Sequence, residues 1–268
     1  MFKDYLLVTD LDGTLLDSQK KISAENKAAI DEFINGGGIF TIATGRGYNM
    51  ALPIMQMLKV NAPAIIFNGC AIFDFNKEEY LWQEFLKKDS REYVKKLLSV
   101  FPKIGCEVLS GKNVYVPALN EVEKWHLGLA DIDGVFCEVD DTPEDWFKVL
   151  FAEKPENIQP IIDYVKENPY QNGDFTRSAD VFYELIPKGI NKGYGLKKLV
   201  DILNIKDRKI IVAGDYNNDI EMMKVADISF AMGNAVDEVK DIAHHIVSDN
   251  NSNGVAEIID YLKSLNKL

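Results

Sequence analysis

The chain has few of the residues that make soft metal sites or disulfide frameworks. Of 268 residues only three are cysteine and three histidine. Cys70, Cys106 and Cys137 are odd in number and widely spaced, with no CxxC pair, which excludes a disulfide scaffold and leaves no zinc or dithiol signature. A reducing, cytoplasmic setting is expected. Nor is there a run of clustered Lys and Arg to offset a net charge of −12, so no cationic surface awaits a nucleic acid or an anionic membrane. The apolar run at 5–8 meets Asp10 and Asp12 at once, too short for a membrane span or a signal-peptide core. Repeats and low-complexity tracts are missing as well.

Phosphate-binding and calcium-binding loops of the common kinds are also lacking. No GxxxxGK[ST] occurs, and Gly45-Arg46-Gly47 is followed by Met50 where a dinucleotide fingerprint needs its third glycine. The acidic run from Asp10 has Gly13 too early and Leu15-Leu16 after it for an EF-hand. What remains is an ordinary globular composition, 47% hydrophobic and 27% charged. The length suits a core with an inserted domain.

The apolar run ending in Thr9-Asp10 reads as a strand buried on both faces of a parallel sheet. Ser23 is a candidate N-cap for the helical stretch that follows, which Gly36-Gly37-Gly38 stops. Strands are expected at 39–43 and 64–67, a helix at 54–60 after Pro53, and a turn at Asn68-Gly69. From 85 to 186 the texture changes, with strand candidates at 107–109, 114–116, 149–151 and 181–186. Helix and strand then alternate again: helix 192–203, strand 209–213, helix 220–225, strands 228–230 and 246–247, and a closing helix after Gly254. The expected architecture is α/β: a doubly wound, Rossmann-like parallel sheet formed by 1–84 and 187–268, with an inserted α+β cap at 85–186.

In such sheets ligands bind beyond the carboxyl ends of the strands. Those ends here read Asp10-Leu11-Asp12-Gly13-Thr14, Thr44-Gly45-Arg46, Asn68-Gly69 and Gly214-Asp215-Tyr216-Asn217-Asn218-Asp219. Asp10, Asp12 and Asp215 concentrate negative charge that needs a cation. Oxygen ligands without His or Cys point to Mg²⁺.

The sequences DLDGTLL at 10–16, ATGR at 43–46, PKGINKG at 187–193 and GDYNND at 214–219 resemble, in order, the four motifs of the haloacid dehalogenase superfamily. Asn68-Gly69, Met232-Gly233-Asn234-Ala235 and the segment at 250–256 resemble secondary signatures of its Cof-type sugar-phosphate phosphatases. The resemblance implies hydrolysis of a small phosphate monoester through an aspartyl-phosphate. Asp10 would be the nucleophile, and Asp12 the acid for the leaving oxygen and then the base for water. Thr44, Gly45, Lys192 and Asn218 would hold phosphate. Asp10, Asp215 and the Asp12 carbonyl would hold Mg²⁺, with Asp219 in support. Arg46 would bridge substrate or pair with an acidic neighbour. Asn191 and Gly193 would let Lys192 approach the ligand closely.

The partner implied is a small phosphorylated metabolite. A phosphotransferase of the phosphomannomutase kind and a phospholigand sensor on the same fold are the alternatives. A sensor would be expected to lack Asp10 or Asp12, and both are present. From the cap, Tyr115, Trp125, His126, Trp146 and Arg177 are the candidates to meet the leaving group. His244-His245 are expected at a strand end or the surface, and Cys70 in the core.

Overall fold

A computed structural model describes residues 1–130 and 133–265. The chain runs β1 (Tyr5–Thr9), α1 (Ala24–Asn35), β2 (Ile39–Ile42), α2 (Tyr48–Met57), β3 (Ala64–Ile66), β4 (Ala71–Asp74) and β5 (Glu79–Gln83). Next come α3 (Ser90–Val100), β6 (Gly105–Ser110), β7 (Asn113–Ala118), α4 (Glu121–Ala130), β8 (Val135–Phe136), β9 (Lys148–Ala152), α5 (Pro155–Glu167), β10 (Gly173–Ala179) and β11 (Phe182–Pro187). It closes with α6 (Lys192–Leu203), β12 (Lys209–Gly214), α7 (Ile220–Val225), β13 (Ile228–Ala231), α8 (Asp237–Lys240), β14 (His245–Ile246) and α9 (Gly254–Leu265).

Two compact units result: 1–45, 53–82 and 191–268 form the first, and 46–52 with 83–190 the second. The first is built on a five-stranded sheet in the order β14-β13-β12-β1-β2, with every pairing parallel. All five residues of β1 are buried, as a strand covered on both faces requires. Leu6 and Val8 join Leu196 and Leu199 of α6 and Met222 of α7 in one core cluster. Ser23 caps α1 as expected, accepting from the Asn26 N–H at 3.1 Å. The chain leaves β1 toward β2 on one side and returns as β12 on the other. That reversal between β1 and β12 is the point where doubly wound sheets bind ligands.

β3 continues this sheet through a parallel bridge from Ala43 to Ile65, then doubles back in a β3-β4-β5 sheet. The sequence reading had no place for β4 and β5. Helix α2 begins earlier than expected and carries Pro53 as its sixth residue. Pro53 has no N–H to donate to the Asn49 carbonyl, so the helix lacks that one bond. Cys70 is buried, and His244 closes a strand end, its Nδ1 accepting the Ser229 N–H at 3.0 Å.

The second unit is a six-stranded sheet, β10-β11-β9-β6-β7-β8, antiparallel except for β7 with β8. Val94 and Leu97 of α3 and Ile158 and Ile161 of α5 share a core with Cys106, Val108, Val149 and Phe151 of the sheet. The residues that alternate with these strand positions include buried charges beside apolar Leu109, Leu150 and Ala152. Lys148 of β9 is buried and pairs with Glu184 of β11 at 2.5 Å, and Glu107 of β6 is buried nearby in register. On α4, Glu123 is fully buried and neither of its carboxylate oxygens has a hydrogen-bond partner among the described residues. His126, one turn on, lies 3.7 Å from Glu107.

Burial first, and the Glu107 carboxylate second, push Glu123 far above its ordinary value of 4.5, to about 10, with Lys148 opposing. The unfolded chain loses that proton near its ordinary value while the folded chain keeps it, so this contribution to stability drains away as pH rises from about 4.5 toward 10. Glu123→Gln keeps the shape without the charge. Its melting temperature should match the parent near pH 4.5 and exceed it by a few degrees at pH 8. Parallel pH profiles for the two proteins would mean that Glu123 carries no such proton.

Candidate active site

Asp10 is the first residue beyond β1, buried, its N–H donating to the Ala213 carbonyl at 2.9 Å. Asp215 stands in the same place beyond β12, so the sheet reversal alone makes the two carboxylates neighbours. Lys192 opens α6, whose Asn191 cap accepts the Tyr194 N–H at 2.9 Å. The Lys192 side chain is fully buried, and its ammonium donates to Asp10 Oδ1 at 2.6 Å and Asp219 Oδ1 at 2.6 Å. The other Asp219 oxygen accepts the N–H groups of Asp215 at 2.9 Å and Tyr216 at 3.2 Å. Asp219 therefore has both oxygens committed and braces the loop that carries Asp215.

Carboxylate oxygens of Asp10, Asp215 and Asp219 lie within 4.8 Å of one another. Three buried carboxylates against one ammonium leave two negative charges unbalanced. The strain is visible in the acidities. Burial pushes Asp10 up to about 7, against the pull of Lys192 and with the push of Asp219 and Asp12. Burial, then Asp10 and Asp219, push Asp215 up to about 8. Burial pulls Lys192 down, but Asp10 and Asp219 more than restore it, so it stays charged. A hard divalent cation with oxygen ligands fits this donor set and this charge deficit.

Asp12 lies apart from the cluster. Its carboxylate accepts from Lys20 Nζ at 2.7 Å and is partly exposed. Same-side placement of residues i and i+2 holds for extended chain, and the chain stops being extended here: Gly13 has φ +80° and Asp12 bridges to Leu16. Gly13 is needed for a second reason, since a Cβ there would sit 2.2 Å from Asp215 Oδ2. Thr44 is buried beyond β2, its N–H donating to the Ile65 carbonyl at 2.9 Å. Asn218 donates to Asn68 Oδ1 at 3.0 Å. Arg46 belongs to the second unit and donates to the Met50 carbonyl at 3.1 Å. The close approach at Gly193 is to protein, not ligand: a Cβ there would meet the Glu221 carbonyl at 2.3 Å.

Residues 7–259 match the haloacid dehalogenase-like hydrolase family. The chain belongs to that family. It is 28% identical over 270 residues to 5-amino-6-(5-phospho-D-ribitylamino)uracil phosphatase YitU of Bacillus subtilis, covering 98% of this chain and 99% of the relative. It is 32% identical over 288 residues to the phosphatase of the same name YwtE, also of Bacillus subtilis, covering 96% and 98%. Among solved structures, a HAD/COF-like hydrolase from Plasmodium vivax superposes with TM-score 0.86 at 23% identity, over 98% of this chain and 96% of that one. With phosphatases as its relatives, this haloacid dehalogenase-like hydrolase is a phosphoric monoester hydrolase.

Several residues that shape the hydrolase site had no assigned role in the sequence reading. Thr14 donates to Asp215 Oδ1 at 2.7 Å, Asn234 to the Gly13 carbonyl at 2.8 Å, and Asn250 to the Leu16 carbonyl at 2.8 Å. The signal for them was in the motifs themselves, which quote all three. Lys20 had none, since nothing local marks it as the partner of Asp12. Within the second unit Trp146 is buried, its indole N–H on Thr142 Oγ1 at 3.1 Å and Arg91 4.9 Å over its ring. Tyr115 packs on the unit's core, His126 against Phe182, and Arg177 donates to the Ala179 and Asp180 carbonyls. Trp125 is 53% exposed. Among the described residues no helix is long and apolar enough to cross a membrane.

Proposed function

We propose that this hydrolase cleaves a small phosphate monoester, a sugar phosphate or related phosphorylated metabolite, by passing its phosphoryl group through Asp10. The observation that carries the reading is the buried Asp10 carboxylate held at 2.6 Å by a fully buried Lys192, in a cluster two charges short of neutrality. Asp10 attacks phosphorus and the bond to the leaving oxygen breaks, with Asp12 giving that oxygen a proton. Asp12 then takes a proton from water as the water attacks the aspartyl-phosphate, releasing inorganic phosphate and restoring Asp10. Thr44, the Gly45 N–H and Asn218 hold phosphoryl oxygens, and Lys192 offsets their charge and aims Asp10. Asp10, Asp215 and the Asp12 carbonyl would hold Mg²⁺, which supplies further charge neutralisation at the phosphoryl group. Asp219, with both oxygens spent, supports that set from behind. Selection of the leaving group is assigned to the segment 85–186.

The test is phosphate release from a panel of monoesters that includes a phosphoribityl compound of the kind named for the two Bacillus relatives. Release is expected with Mg²⁺ and none after exhaustive chelation; turnover that survives chelation refutes the metal assignment.

The acidities add a sign to that test. Protons compete with the cation for Asp10 and Asp215 below about 7 and 8. Apparent Mg²⁺ affinity should rise between pH 6 and pH 8 by up to about tenfold per unit for each proton displaced. Without the cation these raised carboxylates make stability fall as pH rises from 3.8 to about 7 for Asp10 and about 8 for Asp215, because the folded chain keeps protons the unfolded chain gives up. A Mg²⁺ affinity flat from pH 6 to 8, measured by calorimetry, would contradict this.

A further inference from the structure

Three successive residues, Phe67, Asn68 and Gly69, have φ of 52°, 56° and 98°. Left-handed backbone suits Gly69 and is tolerated by Asn68, but a bulky residue such as Phe67 pays for it. Strain of this kind persists where surrounding structure holds it, and it gathers at functional sites. The strained turn follows β3, and its contacts reach three other segments of the chain.

The Asn68 N–H donates to the Thr44 carbonyl at 3.0 Å, while the Thr44 N–H donates to Ile65 at 2.9 Å. The Asn68 carboxamide lies against Gly45, where a Cβ would be 2.9 Å from Asn68 Oδ1. That same oxygen accepts from Asn218 Nδ2 at 3.0 Å. On the opposite side Gly69 admits the Asn191 carbonyl, which would be 2.1 Å from a Cβ, and Asn191 is the cap that places Lys192. One turn thus touches the Thr44-Gly45 loop, the start of the Lys192 helix and Asn218. Asn68 is 1% exposed.

We propose that Asn68 is a positioning residue of the phosphoryl pocket: its side chain sets the plane of the Asn218 amide and seats Gly45 beside it. The amide of Asn218 is planar, so spending one N–H on Asn68 gives the other a single direction. The strained turn is the device that brings the carboxamide there. This rests on the reading above, in which Gly45 and Asn218 contact the phosphoryl group.

Asn68→Gly separates the side chain from the backbone, because glycine takes left-handed φ without strain and removes only the carboxamide. The expected result is an unchanged fold with kcat/KM lowered about 10- to 100-fold and the inhibition constant for inorganic phosphate raised about tenfold. Asn68→Asp keeps the acceptor for Asn218 and also tolerates the backbone, but adds negative charge beside phosphate. It should recover kcat and not phosphate affinity, a split that a purely structural role would not give. In a double-mutant cycle, Asn68→Gly and Asn218→Ala should be strongly non-additive.

Parent-like kcat and phosphate inhibition in Asn68→Gly, or simple additivity with Asn218→Ala, overturns the proposal. Thermal stabilisation by inorganic phosphate with Mg²⁺ is read on the parent and Asn68→Gly in parallel. If no monoester is hydrolysed yet phosphate stabilises the parent and not Asn68→Gly, the hydrolytic reading fails and the positioning role stands. If phosphate affects neither protein, both fail.

Discussion

Asp10→Asn protein mixed with an aryl phosphate should form no covalent phosphoryl adduct, and its turnover should fall by about 10⁴ or more. The neutral amide is a poor nucleophile and a weaker ligand for a hard cation. It also removes the charge that Lys192 neutralises at 2.6 Å. Asp12→Ala should behave differently. An aryl leaving group needs little protonation, so Asp10 should still be phosphorylated while hydrolysis of the adduct slows by about 10² to 10⁴. The exposed position of the Asp12 carboxylate, on Lys20 and outside the buried cluster, is compatible with a group that exchanges protons with substrate and water. With an alkyl sugar phosphate even the first step should be slow. Rapid quench followed by mass mapping of the reduced acyl phosphate reads all of this. A burst mapped to Asp12, or an adduct on the Asp10→Asn enzyme, overturns the assignment.

Lys192→Met should cost both catalysis and stability. The methionine fills similar volume but leaves Asp10, Asp215 and Asp219 facing one another without their ammonium. Removing one partner of a buried ion pair costs about 3–5 kcal/mol, on the order of 10 °C in melting temperature for a chain of this size. The loss should depend on pH. Near pH 5 protons can neutralise the freed carboxylates, and by pH 8 the folded chain must bury their charge or hold protons that the unfolded chain has released. The gap between parent and variant should therefore widen from pH 5 to pH 8 and narrow again when Mg²⁺ is added. Phosphate turnover should fall by about 10² to 10³ at saturating Mg²⁺. A melting difference that is constant with pH would assign Lys192 to packing alone.

Much of the first unit was legible in the sequence because its information is local. An apolar run such as 5–8 reads as a strand covered on both faces, and Asp10, the first charged residue after it, then lies on the rim. The same logic placed Thr44 and Asp215. The second unit was less legible. Its alternation mixes core positions such as Val149 with buried charge at Lys148 and Glu184, and partly buried aromatics look alike whether they meet core or ligand. Trp146 read as a ligand candidate and is core, held by Thr142 and Arg91.

By itself, then, the sequence determined the order of the strands in the main sheet and which polar residues stand at their ends, both of which follow from short apolar runs and the residues that stop them, while the family was carried by the resemblance of four motifs. Tertiary structure alone decided which carboxylates share charge. Asp219 and not the Asp12 side chain joins Asp10 and Asp215, since direction after a strand end depends on the left-handed turn at Gly13 and on partners far along the chain. Lys192 reaches Asp10 across 182 positions, and Asn218 reaches Asn68 across 150. Contacts at that separation leave no local pattern: they form because burial makes an unpaired charge or amide costly, and the fold sets partners beside each of these groups.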